Sequence, residues 1–411
     1  MNSLRSWFRG RFGRSAGLLV GALVLLRAAP AAAADGHPGD LEPGLLPLVG
    51  GDSDFGLGVG VLGSLARLGD PVTVNRWKLS LVAVQTFKVE EGEIVSPYRD
   101  FLLSLTTFRF PVGGSRLVLD ANYTDAQLYY PGLGNASTVD AATDGDHYVR
   151  RSLLLRATLR TPLTASLYQE SGMGFTHNDV EYAASSRIVR DGDSPDAVVR
   201  GGARLPKVHG VPTFIQAIGW DSRDADVGTS RGWYHRFSVR VAPGGTDYAA
   251  TPYLGFDVQL RGYHTLVKRR WVVAWRALGD VLLGDPPTYE LGRHESGWAI
   301  GGVDGLRGVP AQRYYGAVKG LVSVENRVWF AEARILGQRI RFGAAGFCDV
   351  GRVFATTAAR PDLDGGGHGL KYGCGGGPRL AEGGHFEARV DVAYSPDADP
   401  VGIYVGAGQS F

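Results

Sequence analysis

Apolar and polar side chains alternate with a period of two in segment after segment of this chain. From Arg76 to Lys88, Trp77, Leu79, Leu81, Ala83 and Phe87 fall on one face and Lys78, Ser80, Thr86 and Lys88 on the other, with Val82 and Val84 as exceptions. The pattern returns at Arg116–Thr124, where Leu117, Leu119, Ala121 and Tyr123 oppose Arg116, Asp120, Asn122 and Thr124. It returns again at Ser152–Arg160, Leu254–Arg261 and Phe386–Tyr394. Successive side chains of an extended strand point to opposite faces, so each segment reads as a strand wetted on one side. A soluble sandwich would look the same locally. The steady charge on the polar face, a last segment running to a terminal Phe411 and an export signal decide for a barrel with a lipid-facing and a lumen-facing side.

The export signal is at the start. Arg5, Arg9, Arg11 and Arg14 precede an apolar run from Leu18 to Leu26, and Ala31 to Ala34 offer small residues for cleavage before Asp35. The run is well short of the roughly 20 residues a spanning helix needs. No second run of that kind follows, so any membrane crossing must be made by strands. The chain holds 60 glycines and 42 aromatic residues (17 Tyr, 17 Phe, 8 Trp), a balance that fits such strands. A formal net charge of +2 and no polybasic stretch after the signal leave nucleic acid without an electrostatic anchor.

Connections alternate in length. Short ones fall at 69–73, 111–115, 161–163, 266–268, 336–338 and 382–384, and long ones at 131–146, 179–211, 285–315 and 355–369. Outer-membrane barrels have short periplasmic turns and long external loops. The expected fold is therefore all-β: a closed antiparallel transmembrane β-barrel of about 16 strands. It opens with a short first strand near Leu45–Gly51 and closes with Val401–Phe411 running into the periplasm. The expected domains are a signal peptide at 1–34, a short linker at 35–44 and the barrel at 45–411.

One long connection is unusual. The stretch 301–316 reads GGVDGLRGVPAQRYYG, with glycines at 301, 302, 305, 308 and 316, which permit tight folding because glycine tolerates positive φ. Gly301, Gly302, Leu306, Arg307 and Gly308 resemble the inward-folded sixth loop of the BamA/TamA-like outer-membrane assembly-factor superfamily, the bacterial surface antigens. Val309 stands where that family has an aromatic residue. Four further stretches carry the likeness in order: Asp221-Ser222-Arg223 followed by Gly232 as the family's Asp-x-Arg turn; Glu325-Asn326-Arg327; Phe347, Asp349 and Gly351; and the closing YVGAGQSF. The likeness implies that Phe411 serves as a C-terminal assembly signal. About ten residues separate the signal from the first strand, too few for the POTRA repeats that precede the barrel in most members.

Residues two apart share a face, so Glu325 and Arg327 point one way, as do Phe347, Asp349 and Gly351. If that face is the lumen, Glu325 and Asp349 can take the planar fork of Arg307 in charge-assisted hydrogen bonds and pin the loop inside. The plainer alternative is a solvated Arg307 and an ordinary lumen Asp349. Cys348 and Cys374 lie on consecutive strands, symmetric about Pro361, so hairpin register can set them opposite each other within disulfide range. A slip of one residue separates them and leaves two small lipid-facing side chains.

Candidate chemistry is thin. Gly58, Gly60 and Gly63 match a dinucleotide fingerprint with no helix after it, and the chain has no GxSxG, HExxH or CxxC pattern. His177 and His264 read as lumen or interface residues rather than ligands. No enzyme activity, cofactor or metal is expected. The resemblance implies an insertion or translocation barrel; the expected partners are outer-membrane lipid and either client outer-membrane proteins or a separate periplasmic chain. A passive pore lined by Arg156, Arg160, Asp257, Arg261, Arg389 and Asp391, or a structural barrel displaying 179–211, are the alternatives.

Overall fold

The computed structural model describes residues 39–411 apart from 70–74, 91, 111–112, 139–145, 227, 269, 296–299, 336, 383–385 and 398–400. The expected signal peptide lies outside the described residues. The strands are β1 Leu41–Asp52, β2 Gly56–Leu68, β3 Asn75–Glu90, β4 Glu93–Val95, β5 Tyr98–Phe108 and β6 Arg116–Tyr129. Then come β7 His147–Pro162, β8 Leu167–Tyr182, β9 Val208–Asp221, β10 Gly232–Ala242, β11 Tyr253–Val267 and β12 Trp271–Gly284. The chain ends with β13 Val318–Ile335, β14 Gln338–Phe354, β15 Lys371–Glu382, β16 Phe386–Tyr394 and β17 Gly402–Ala407. Short helices α1 Arg187–Gly192, α2 Ala197–Gly202, α3 Thr288–Leu291 and α4 Pro361–Asp364 sit in the long connections. Among the described residues β4 pairs only with β3, and the other 16 strands form one antiparallel wall that closes where β1 meets β17.

The alternation read from the sequence sorts the two faces. Leu119, Leu155, Phe256 and Val324 are exposed on the outside, while Asp257, Ser323, Glu325 and Asp391 are buried inside. Aromatic side chains ring the outer surface at both ends. Trp220, Trp233 and Trp271 stand near the short turns, and Phe87, Tyr372 and Tyr394 near the long loops, as expected of rings held at the headgroup level. His177 and His264 are both outside, against Tyr248 and Trp233 respectively, so they are interface residues. Above the lumen, Tyr130, Tyr148, Tyr289 and Tyr315 gather with Leu133, Ile188 and Leu205 into an apolar cluster that closes the long-loop end.

Two strand expectations are corrected. The first strand is not short: β1 has 12 residues, all paired in register with β2 from Leu41↔Arg67 to Asp52↔Gly56. Its apolar and glycine-rich sequence hid the length because Gly44, Pro43 and Pro47 read as breakers. The last strand stops at Ala407 rather than running to Phe411. Gly408 turns with φ of +80°, its N–H donates to the Glu387 carbonyl, and the tail leaves the wall for the lumen.

The seam is narrow. β1 and β17 share only Gly51↔Val405 and Asp52↔Tyr404, with the Ser53 N–H donating to the Ile403 carbonyl just above. Among the described residues, nothing pairs with the second edge of β1 over 41–50. Because the ladder to β2 is unbroken and proline has no N–H, the even-numbered residues must be the ones that exchange bonds with β2. The odd-numbered backbone groups of Leu41, Pro43, Leu45, Pro47 and Val49 therefore point at the seam, and the two prolines remove two of the five donors along it.

Cys348 and Cys374 are register partners joined by a disulfide, with Cα atoms 4.1 Å apart on the outer face. The bond staples β14 to β15 where Gly373, Gly375, Gly376 and Gly377 offer no side chains to pack. Replacing both cysteines by alanine should lower the stability of the barrel by about 3 kcal/mol, the scale for a loop of this size. The midpoint of heat-induced unfolding on a gel, with and without reductant, measures it. An unchanged midpoint would show that the staple carries no load.

Candidate functional site

The connection between β12 and β13 folds back into the barrel. Its glycines make the path possible: a Cβ on Gly301 (φ +105°) would lie 2.0 Å from the Pro310 carbonyl oxygen, and Gly308 has φ of +91°. The Gly302 N–H donates to the Val309 carbonyl at 2.7 Å, closing the loop on itself. Leu306, Val309, Ile300 and Tyr314 then pack against Leu278, Leu321 and Val353 of the wall. Val309, which stands where the resemblance has an aromatic residue, is fully buried in this packing. Gly351 and Gly373 form a flat floor beneath: an ideal Cβ on Gly373 would stand 1.8 Å from the Arg307 carbonyl oxygen.

Arg307 at the tip is fully buried. Its backbone N–H and Nε donate to Asp349 Oδ2 at 3.1 and 2.7 Å, and Nη2 donates to Oδ1 at 2.9 Å. Nη1 donates to Glu325 Oε2 at 3.0 Å and to Ser410 Oγ at 3.1 Å. The guanidinium carbon lies 3.3 Å from the centre of the Phe347 ring, a cation–π contact. The carboxylates are shared with a second layer. Arg327 Nε donates to Glu325 Oε1 at 2.9 Å, and Arg379 Nη1 reaches Asp391 Oδ1 at 2.7 Å, with Asp391 3.8 Å from Arg307. Every charge in the cluster has an opposite neighbour, which is the condition for burying it.

The loop also touches both sides of the seam. The Gly308 N–H donates to the Tyr404 hydroxyl of β17, and the Ala311 N–H donates to Asp54 Oδ2 in the β1–β2 turn, both at 2.9 Å. Burial, helped by the neighbouring Asp52, pushes the Asp54 carboxyl up to about 7. The chain end joins the same network. Arg327 Nη2 donates to the Phe411 carbonyl at 2.9 Å, Arg389 donates to Ser410 Oγ, and the buried Phe411 ring lies 4.8 Å from the Arg276 guanidinium.

The structure thus brings Gly301, Gly302, Leu306, Arg307 and Gly308 together with Glu325, Asp349, Phe347 and Gly351. It places the turn motif apart, at the short-turn end of the barrel. There Arg223 forks onto Asp221 with two bonds of 2.9 Å, and Gly232 takes φ of +110° beside the Ser222 carbonyl. Phe411 is inside the lumen instead of on the lipid face, because the tail finds Arg327 and Arg389 there. Sequence reasoning did not identify several members of the network as partners, among them Asp391, Arg379, Ser410 and Tyr404. Asp391 carried a signal, its place on the polar face of a strand, but periodicity names a face and not a partner. Among the described residues no group of three or more His, Cys, Asp or Glu is placed to hold a metal ion.

A family model described as the Omp85 superfamily domain matches residues 91–411. Solved structures similar to this chain include BamA from Haemophilus ducreyi lacking POTRA domains 1-3, with a TM-score of 0.58, 16% identity, and 89% of this chain and 70% of that one covered. CdiB from Escherichia coli has a TM-score of 0.55 at 13% identity, covering 90% and 63%, and CdiB from Acinetobacter baumannii 0.52 at 12%, covering 90% and 59%. The chain spans less than two thirds of the length of either CdiB structure. At these identities the likeness is one of fold. No curated protein matches the chain.

Proposed function

Because the chain belongs to the Omp85 superfamily, we propose that it inserts or translocates polypeptide at the bacterial outer membrane, with the Arg307 loop plugging the lumen and the β1–β17 seam engaging an incoming strand. The leader at 1–34 supports export to that membrane. Its partners are outer-membrane lipid, client outer-membrane proteins and a separate periplasmic chain that delivers them. No catalysis is involved; client strand pairing and burial supply the free energy.

The observation that carries this reading is the edge of β1 at residues 41–50, which is free among the described residues. Unpaired strand edges accept further strands. Within a membrane such groups go unsatisfied at a cost of several kcal/mol each, so an open edge there favours occupation. A photo-crosslinking residue placed at Leu45 should capture client chains during assembly, and one at Leu159 on the far wall should not. Equal capture at both positions would defeat the proposal.

Pro43 and Pro47 tune the edge. Replacing both by valine restores two donors, each worth about 0.5–1.5 kcal/mol net. Captured client, or the chain's own last strand, should then stay bound about tenfold longer, read as the lifetime of the Leu45 crosslink-competent state. An unchanged lifetime would show that the prolines do not set the strength of the seam. The passive-pore alternative draws on the open lumen wall at Arg156, whose side chain is 42% exposed beside Asp120. It requires large, steady single-channel currents from the unaltered chain.

A further inference from the structure

A second basic cluster lies at the opposite end of the lumen from the long loops. Arg116 of β6 and Arg160 of β7 are direct cross-strand partners. Both face inward, since Leu117 and Leu159 between them and their neighbours face out. Like charges set opposite each other on paired strands repel, so the arrangement calls for an anion. Arg160 is partly provided for: its guanidinium lies 3.5 Å from the Tyr168 ring centre and 3.6 Å from Asp221. Asp221, however, is already forked by Arg223, and Asp226, which also lines the cavity and pairs with Arg223, is almost wholly in solvent. Among the described residues no carboxylate makes an ion pair with Arg116. The three arginines border one cavity of about 470 Å³, walled on its apolar side by the inward-facing Phe108 and Pro162. It opens among the turns that follow β5, β7 and β9, at the mouth of the lumen on the short-turn side.

We propose that this cavity binds an oxyanion, and specifically the carboxylate of an acidic residue in an extended polypeptide, with Arg116 and Arg160 as the two forks and the apolar wall taking a neighbouring side chain. The assignment rests on the chain handling polypeptide. An inward-facing mouth next to an apolar wall fits a peptide side chain entering the lumen, whereas a lipid headgroup would stand on the outer face, among Leu119, Leu155 and Trp220. The turn motif gains a purpose beyond closing a loop: the Asp221–Arg223 fork holds Arg223 at the cavity edge and leaves Arg116 free to bind.

The test uses the full chain in nanodiscs and fluorescence anisotropy of a dye-labelled peptide with alternating apolar residues and one Glu, against its Gln analogue. The Glu peptide should bind about tenfold more tightly, the scale of one charge-assisted hydrogen-bonded contact. Arg116→Gln should erase that preference, Arg116→Lys should keep part of it, and Arg339→Gln on a different turn should leave it intact. Inorganic phosphate should compete in the millimolar range, and changing the nanodisc lipid from zwitterionic to anionic should not abolish binding. Equal binding of the two peptides, or an unaffected Arg116→Gln variant, overturns the proposal. Phosphate binding without peptide preference also overturns it, leaving a small-anion site, and loss of binding only in anionic nanodiscs reassigns the cavity to lipid. Gel mobility before and after heating reports whether each variant keeps a closed barrel. Client insertion into vesicles is scored separately: insertion by the unaltered chain without a Glu preference sinks this inference alone, while absence of insertion sinks the broader reading.

Discussion

Replacing Arg307 by alanine should release the loop from the wall and cost about 3–5 kcal/mol, the scale for removing one partner of a buried ion pair. The loss falls unevenly. Glu325 keeps Arg327, and Asp391 keeps Arg379, but two of the four side-chain bonds that Arg307 donates go to Asp349, one to each carboxylate oxygen. Asp349 is fully buried, so its carboxylate is left with the largest deficit. Arg307→Lys should recover little, because an ammonium brings charge without the planar fork that matches Asp349 on one side and Glu325 on the other. The double variant Arg307→Ala with Asp349→Ala should cost less than the two single changes summed, as contacting residues do. Heat-induced unfolding measures the stability, and single-channel recording measures the plug. Currents should rise and become erratic when the loop is freed. An Arg307→Ala barrel with the unfolding midpoint and conductance of the parent would remove the plug from the account.

Gly373→Ala should produce the same phenotype without touching a charge. Gly373 is the register partner of Asp349 and lies directly under the loop. A methyl group there would meet the Arg307 carbonyl oxygen at 1.8 Å, and the obstructing atom is backbone, which cannot swing aside. The loop must lift or the strand must shift, so the Arg307 bonds to Asp349 lengthen together. Overpacking of this kind costs about 1–3 kcal/mol or more. Gly279→Ala is the control, an outward-facing position of β12 at which a Cβ would find open space. If the two alanine variants unfold and conduct alike, the glycine floor does not hold the loop.

Much of the architecture was legible from residue order. The period of two assigned Asp257, Glu325, Asp349 and Asp391 to one face and Leu119, Leu155 and Phe256 to the other, since a strand has only two sides. The alternation of short and long connections located most turns, although the ten-residue turn at 222–231 breaks it on the short side. The glycines around Arg307 announced a shaped loop, because few other residues take φ of +90° to +105° without strain. What could not be read are contacts between distant strands that neither a hairpin register nor a family resemblance points to. Tyr404 and Ser410 look ordinary in sequence, and nothing near them signals a contact with Gly308 or Arg307, about a hundred residues earlier in the chain.

By itself the sequence determined a barrel and the sense of its strand faces, because these follow from local geometry and the burial preference of each side chain, while the inward-folded arginine loop came from a family resemblance. Only the tertiary structure decided that the wall closes through two register pairs, that the prolines of β1 turn their missing donors toward that gap, and that the chain end bends at Gly408 to bring Phe411 inside. Those outcomes are set by the competition between edge pairing and the buried cations of the lumen, Arg327 and Arg389 above all. Such a competition exists only once the cylinder is closed and both contestants are within reach.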